Sequence, residues 1–393
     1  MSLPAVVIVA ARRTPIGAFQ GALSPLSAPQ LGAAANRAVL ADSGIDPASL
    51  SQVLFGCVLQ AGLGQAPARQ ASIGADVPTS VGCITLNKVC GSGLLAVTLG
   101  ADMIRAGSAT TVLAGGMESM SNAPYLSVGA RGGLRMGHQQ FLDHMFWDGL
   151  QNPYDGEMMG HFGDATAAKF GFSREDQDSF AIASVERAQS AIASGAFGAE
   201  VAPVTVTTRK GENVVEHDEE PGRAKIERIP TLRPAFAKDG TVTAASSSSI
   251  SDGAAALIVM REDEAERRGL TPLARIVASA NFAQEPAWFT TAPVGAINDL
   301  HQRTGWGPDN VDLYEVNEAF ACVTMAAMKE CGIGHGQMNV NGGACALGHP
   351  IGASGARILV TLLHALAARD GKRGIAGICL GGGEALAIAV ERP

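Results

Sequence analysis

A cysteine stands directly before a Gly-Ser-Gly turn in Leu86-Asn87-Lys88-Val89-Cys90-Gly91-Ser92-Gly93. A mostly apolar run with helical spacing follows, Leu94 to Arg105, and Gly107 ends it. The pattern places Cys90 at the N-terminus of a buried helix. Free backbone N–H groups and the positive end of the helix dipole favour a thiolate there, so a lowered thiol pKa is expected. Gly91 and Gly93 permit a tight turn and the close approach of a substrate. A small buried cysteine in a glycine-rich turn would read the same way, so Cys90 alone leaves both readings open. Three further residues have comparable settings. His349 lies in Gly342-Gly343-Ala344-Cys345-Ala346-Leu347-Gly348-His349-Pro350, and Cys379 opens Cys379-Leu380-Gly381-Gly382-Gly383-Glu384. Asn317 follows a strand-like run in Val316-Asn317-Glu318-Ala319-Phe320. Each has a plain alternative as a turn histidine, a strand-end cysteine or a cap. Cys57, Cys83, Cys322, Cys331 and Cys345 neither open a helix after a glycine-rich turn nor close a strand before one. They read as structural.

The elements that must position these residues alternate. Ala5 to Ala10 reads as a strand, ended by Arg12-Arg13-Thr14-Pro15. Ala28 to Ser43 is helical, with Leu31, Ala34, Ala35 and Ala38 on one face. A strand over Val53–Cys57, a helix over Gln65–Gly74, the Cys90 helix and a strand over Thr110–Ala114 follow. This rhythm predicts an α/β core with largely parallel strands. From about Ser119 it stops, and a long insertion begins. It carries a polar helix, Arg174 to Gln189, with Ser173 as N-cap, and a charged, loop-like stretch from Glu212 to Arg228. Ser246 to Ser249 form a tight loop, and Ala254–Met260 resumes the rhythm as helix or strand.

The last third repeats the first. Gly352-Ala353-Ser354-Gly355 precedes an apolar helix, Ile358–Ala368, then a strand, Gly374–Ile378, then Gly381-Gly382-Gly383-Glu384. Cys90-Gly91-Ser92-Gly93 likewise precedes a helix, a strand and Gly115-Gly116-Met117-Glu118. The counterpart of Cys90 is then about Gly352, and Asp312–Glu315 echoes Val53–Gly56. Such order implies internal duplication. Both helices are apolar nearly all round, so two like domains should pack face to face with these helices inside. The predicted units are a core over 1–120, completed by about 250–270, an inserted domain over 121–249, and a second core over 271–393. Pseudo-symmetry would bring the loops of Asn317, His349 and Cys379 to the end of the sheets that holds Cys90, where open α/β sheets bind ligands.

Composition narrows the function. The chain has 393 residues, 47% hydrophobic and only 17% charged, which predicts two or three well-buried domains. A net charge of −8 without a basic run argues against nucleic acid as the main partner. The 7 cysteines show no CxxC pair, so no metal site is expected and the compartment should be reducing. Met1–Ala11 lacks a basic start and reads as a strand, not a signal peptide. No stretch approaches the roughly 20 apolar residues of a membrane span, so a cytoplasmic protein is expected.

Four pieces together resemble a known family. Asn87-Lys88-Val89-Cys90-Gly91-Ser92-Gly93, Asn317-Glu318-Ala319-Phe320-Ala321, Gly342 to Arg357 and Cys379 to Ala385 look like motifs of the thiolases, in the right order. The likeness runs from Ala11-Arg12-Arg13-Thr14-Pro15 to the C-terminus, and looks strongest to the acetyl-CoA acetyltransferases. It implies duplicated βαβαβαββ cores with an inserted coenzyme A-binding loop domain. It implies reversible Claisen condensation of two acetyl-CoA to acetoacetyl-CoA and coenzyme A, with no cofactor. By the resemblance, Cys90 takes the acyl group as a thioester and His349 activates it. Cys379 is the second acid/base. Asn317, through a water, and His349 form one oxyanion hole, and the N–H groups of Cys90 and Gly381 form the other. Coenzyme A contacts fall on Ser248, Leu150, Met159, Ala319, Phe320 and Arg223. The apolar and basic segment Tyr125–Met136 resembles the loop that joins two dimers, which implies a homotetramer, with a dimer as the alternative.

The sequence departs from the family pattern at Ala245-Ser246-Ser247-Ser248, at Met158 before Met159-Gly160, and at Phe289-Thr290. These leave catalysis intact and open the acyl chain length and tolerance of a 2-methyl branch. A broader-chain 3-ketoacyl-CoA thiolase is therefore the alternative. A decarboxylating ketoacyl synthase would pair the cysteine with two histidines, or with His and Asn, and not with a second cysteine. A non-catalytic acyl-binding relative could lose Cys90 or His349, and both are present. A redox sensor using the Cys90–Cys379 pair is a further class.

Overall fold

The computed structural model describes residues 3–209 and 211–393. The first core runs β1 (Val6–Arg13), a short β2 (Gly17–Ala18), α1 (Ala28–Ser43), β3 (Gln52–Gly56), α2 (Pro67–Gly74), β4 (Gly82–Leu86), α3 (Ser92–Arg105) and β5 (Thr111–Ser119). The chain then leaves the sheet. The excursion contains β6 (Tyr125–Leu126), β7 (Leu142–Asp143), α4 (Met159–Phe170), α5 (Arg174–Ala193), β8 (Val204–Thr208), β9 (Gly211–Val215) and α6 (Glu219–Arg223). It returns through β10 (Ser251–Arg261) and α7 (Glu262–Arg267). The second core is β11 (Ala274–Ala283), α8 (Ala292–Thr304), β12 (Leu313–Val316), α9 (Ala321–Cys331), α10 (Ala344–Leu347), α11 (Ile351–Ala368), β13 (Arg373–Leu380) and β14 (Glu384–Glu391). Thiolase-like βαβαβαββ order is visible in both cores, except that the counterpart of β4 shrinks to one bridge, Tyr314 to Met338.

Ten of the strands form one sheet in the order β12-β13-β14-β11-β1-β10-β5-β3-β4, with β2 on β10, while β6–β7 and β8–β9 pair as separate two-stranded sheets. Read from the centre outward, each half has the same sequence of parts: first strand, last strand, penultimate strand, second strand. The duplication is thus a property of the topology. The halves join where β1 meets β11, antiparallel, with Val7 opposite Arg275 and Ile8 opposite Ala274. Two corrections to the sequence reading follow. The halves share one continuous sheet, not two separate ones. The sheet is also mixed: only β3–β4, β3–β5 and β12–β13 are parallel. The rhythm of short helices hid the returns of β10 and β14, which need no crossover helix.

The core explains why α3 and α11 are apolar all round. Leu94, Val97, Ala101 and Ile104 of α3 and Ile358, Leu359 and Leu363 of α11 share one buried cluster with strand residues of both halves, such as Leu257 and Ile388. Helices α1 and α2 cover the far face of the first half, and α8 and α9 that of the second. Across the molecule the layers are α1/α2, strands, α3/α11, strands, α8/α9. A Cβ on Gly93 would lie 2.8 Å from Ala356 N, and one on Gly355 2.6 Å from Leu94 N. This reciprocal contact relates Gly93 to Gly355, which puts Gly352 opposite Cys90. Helix α11 starts at Ile351, seven residues before the predicted Ile358, because Gly and Ser in its first turns mask the helical spacing. It is also the one described helix long and apolar enough to cross a membrane, with 18 residues and mean hydropathy 1.5. It is spent on the core.

Candidate active site

Cys90 lies one residue before Gly91, the N-cap of α3, in the turn after β4. Val89 before it has φ +46°, a strained conformation for a β-branched residue. A local network holds it. Val89 N–H donates to Asn87 Oδ1 at 3.0 Å, Lys88 N–H to Ser92 Oγ at 2.8 Å, and Ser92 Oγ–H to Val89 O at 2.6 Å. The turn presents a half-buried thiol. Its sulfur faces its own N–H and that of Gly381. Burial pushes the thiol up to about 12, against those two N–H groups, and Glu118 adds to the rise. This corrects the expectation of a lowered pKa: loss of water outweighs the helix end.

His349 follows Gly348, whose φ of +100° and contact with Ser251 Oγ leave no room for a Cβ. The ring is buried, and burial with the nearby Arg357 charge lowers it to about 3. It is therefore a neutral imidazole. Its Nδ1 is 2.6 Å from Ser354 Oγ, on the first turn of α11. Ser354 Oγ–H donates to Pro350 O at 2.9 Å, so in that orientation it accepts from Nδ1–H. Nε2 is then a bare lone pair, buried with no partner among the described residues. Asn317, just past β12, places its amide nitrogen 3.5 Å from Nδ1, too far for a good hydrogen bond. Its Oδ1 is also buried without a partner. Buried polar atoms are ordinarily satisfied, so these two mark a place for a ligand or water.

Cys379 sits near the end of β13, opposite Ala385, before a turn made by Gly382 and Gly383 at φ +93° and +91°. It is buried, and burial, with Cys90 and Cys322 nearby, pushes its thiol well up. Cys90 and Cys379 thus come together from opposite halves, each a protonated thiol at rest.

A cavity of about 200 Å³ opens onto His349 and is lined by Leu150, Met159, Ser248 and Phe320. Met120 and Ile351 line it too, and they pack in the same cluster as Cys90. Ala319 backs it: its carbonyl accepts Ser248 N–H at 3.0 Å and Ser248 Oγ–H at 3.1 Å. The serine run is a tight loop, as expected: Thr243 N–H donates to Ser246 Oγ and Ser247 Oγ–H to Thr243 O. Arg223 stands apart, in an adjoining groove of about 330 Å³ with Lys225 and Arg228. Ser249 borders both spaces. The predicted loop from Glu212 to Arg228 contains β9 and α6, and α6 carries Arg223. Sequence reasoning missed Ser354, Phe236 and Met120, which also shape the site. Only three-dimensional proximity reveals them; Ser354 alone had a hint, being five residues past His349 in the repeated glycine motif.

Chemically, the site offers a neutral imidazole on an apolar slot that adjoins a basic groove, with the Cys90 thiol packed behind the slot and the Cys379 thiol near Cys90. Residues 6–263 match the family model of the thiolase N-terminal domain, and residues 270–392 that of the thiolase C-terminal domain. The chain is 48% identical to an acetyl-CoA acetyltransferase of Pseudomonas aeruginosa, over 98% of this chain and 99% of that one. It is 49% identical to that of Escherichia coli over 98% of each. It is 48% identical to acetyl-CoA acetyltransferase 2 of Arabidopsis thaliana, over 98% of this chain and 96% of that one. Among solved structures, the Acat5 thiolase of Ascaris suum in complex with coenzyme A superposes with a TM-score of 0.94 at 41% identity, covering 99% of this chain and 100% of that chain.

Proposed function

The chain belongs to the thiolase family, and from that premise we propose that it is an acetyl-CoA C-acetyltransferase joining two acetyl-CoA into acetoacetyl-CoA and coenzyme A. The observation that carries the chemistry is the buried, neutral His349, with Nδ1 anchored on Ser354 and Nε2 unpartnered, on a cavity whose Met120 and Ile351 also pack with Cys90. At rest the pair is thiol and imidazole, so proton transfer accompanies attack on the thioester. The Cys90 proton passes to His349 Nε2 while the sulfur bonds the acetyl carbon. The N–H groups of Cys90 and Gly381 hold the tetrahedral oxyanion. The carbon–sulfur bond to coenzyme A breaks, and His349 returns the proton to the leaving sulfur.

In the second half, the Cys379 thiol passes its proton to the free Nε2 of His349, and the resulting thiolate removes a proton from the methyl of the incoming acetyl-CoA. The enolate oxygen is held by His349 Nε2–H and by a water on Asn317. Ser354 serves this duty as well, because its oxygen accepts from Nδ1–H and so steadies the imidazolium that presents Nε2–H. The enolate carbon attacks the acetyl-Cys90 carbonyl, and the Cys90 sulfur leaves and takes the proton from His349 Nε2, which restores the neutral imidazole. Leu150, Met159, Ser248, Ala319 and Phe320 hold the pantetheine arm, and Arg223, with Lys225 and Arg228, meets the phosphates. The seven unpaired cysteines suit a reducing, cytoplasmic setting. A chain-length series of 3-ketoacyl-CoA substrates with free coenzyme A tests the substrate. Thiolysis of acetoacetyl-CoA should exceed that of long-chain substrates by at least about 10-fold. Equal rates along the series would favour a broader-chain thiolase.

A further inference from the structure

Glu118, near the end of β5, is fully buried. Its partners are a thiol and three backbone N–H groups. Oε2 accepts from Val58 N–H at 3.0 Å and from Gly352 N–H at 2.9 Å. Oε1 accepts from Leu59 N–H at 3.1 Å and faces the Cys57 thiol at 3.7 Å. Burying a carboxylate is costly unless donors surround it. Here the donors come from two places that matter. Val58 and Leu59 belong to the cluster that packs against Cys90. Gly352 is the second residue of α11, three residues after His349, and the positive end of that 18-residue helix favours a negative charge. One carboxylate therefore ties the wall behind the nucleophile, in the first half, to the helix end that follows the base, in the second.

We propose that Glu118 is a positioning residue for acetyl transfer, its carboxylate fixing the Cys90 wall in register with the N-terminus of α11 and hence with His349. The proposal rests on the roles of Cys90 and His349 given above. It goes further in assigning a function to a residue that touches neither reacting atom. An apolar replacement would leave three N–H groups without partners. A small shift of one half against the other would then change the path of the proton from sulfur to Nε2, and misplacements of about 1 Å can cost about 10²-fold in rate. The titratable groups facing Glu118 are the Cys57 and Cys90 thiols. Burial raises Glu118 itself to about 7, whereas His349 lies near 3 and Cys90 near 12. A limb near pH 7 that Glu118→Gln removes would thus belong to Glu118 and not to Glu315, raised to about 8 beside Arg357.

The test is the single-turnover rate of acetyl transfer from acetyl-CoA to Cys90, followed by intact mass from about pH 6 to about pH 9, a span that brackets the Glu118 value of about 7, with KM for acetyl-CoA measured alongside. The wild type should acetylate, with a rate that falls as the pH drops through about 7. Glu118→Gln should acetylate about 10²-fold more slowly, with KM nearly unchanged and without that limb. Glu118→Asp keeps the charge one methylene short and should keep the limb with an intermediate rate; it carries the test if the Gln variant does not fold. A folded Glu118→Gln with the wild-type rate, or with the limb intact, would overturn the proposal. So would a Glu118→Asp enzyme that matches the wild type. A wild type that never acetylates at Cys90 would instead refute the underlying reading of the site.

Discussion

Cys90 and Cys379 handle different protons, and this is where the residue-scale account is most exposed. Acyl transfer uses Cys90 and His349; the carbon–carbon step adds a base for a weak carbon acid. Cys379→Ser keeps the size but raises the side-chain pKa far above that of a thiol. Condensation should fall by about 10²–10⁴-fold, while burst acetylation from acetyl-CoA persists. Loss of both would mean that Cys379 is structural. Ser354→Ala removes the partner of His349 Nδ1 and should slow both half-reactions by about 10-fold, the equivalent of one hydrogen bond of ~1.4 kcal/mol. Assays of the two half-reactions on this variant decide it: an effect on one alone would contradict the anchoring role. Cys90, His349, Cys379 and Asn317 were legible in the sequence because each stands beside glycine or a strand end in a repeated pattern. Ser354 was not, because its role depends on α11 beginning at Ile351. The direction of the Cys90 shift was misread for a physical reason: the helix end acts locally and is visible in sequence, whereas desolvation is imposed by residues such as Met120 and Ile351 that are remote in the chain.

At the scale of elements, the crossing of α3 and α11 is the joint of the fold. The reciprocal clashes at Gly93 and Gly355 leave no space for side chains. Gly93→Val should destabilise by about 1–3 kcal/mol or more through overpacking, read from urea midpoints. A neutral result would mean that the helices can part without cost. Beside this joint, Arg357 and Glu315 are buried 3.6 Å apart. Burial raises Glu315 to about 8, although Arg357 opposes the rise, and burial raises Glu118 to about 7. Both folded-state values lie above the ordinary 4.5. The folded protein then holds more protons than the unfolded chain, and stability is lost as pH rises toward those values. His349, lowered to about 3, has the opposite effect only below its ordinary 6.5. Urea midpoints should therefore fall between pH 6.5 and 8 (~, the window bounded by these groups), and Glu315→Gln should flatten the fall. A midpoint that rises over that interval would contradict the assignment. Helices α1, α2, α3, α5 and α11 and most first-core strands were legible from apolar spacing and caps, whereas α4 and α6 to α10 were not. Strands β11 and β14 were not, because the 3.6-residue spacing of the neighbouring helices dominated the pattern, and only pairing across the sheet distinguishes them.

The whole molecule presents an apolar surface that its own fold does not cover. In the segment from β6 to β7, Tyr125, Val128, Met136 and Phe141 are exposed, Met136 by 98%. Arg131 and Arg135 lie among them. Exposed apolar patches of this kind are common association surfaces, and we propose that this one joins two dimers into a homotetramer. Light scattering at micromolar concentration should report it, and Met136→Ser with Phe141→Ser should yield dimers that keep activity. A stable wild-type monomer would contradict the expectation. The duplication was legible in sequence as a repeated order of motifs; that the two halves share one sheet was not, because the β1–β11 junction rests on two residue pairs. What both halves converge on is one sulfur. The most direct measurement is the intact mass of the protein after brief incubation with acetyl-CoA, with peptide mapping. The account predicts one added acetyl group, on Cys90, discharged by coenzyme A and absent in Cys90→Ala. Turnover by Cys90→Ala, or acetyl placed on another active-site residue, would contradict it.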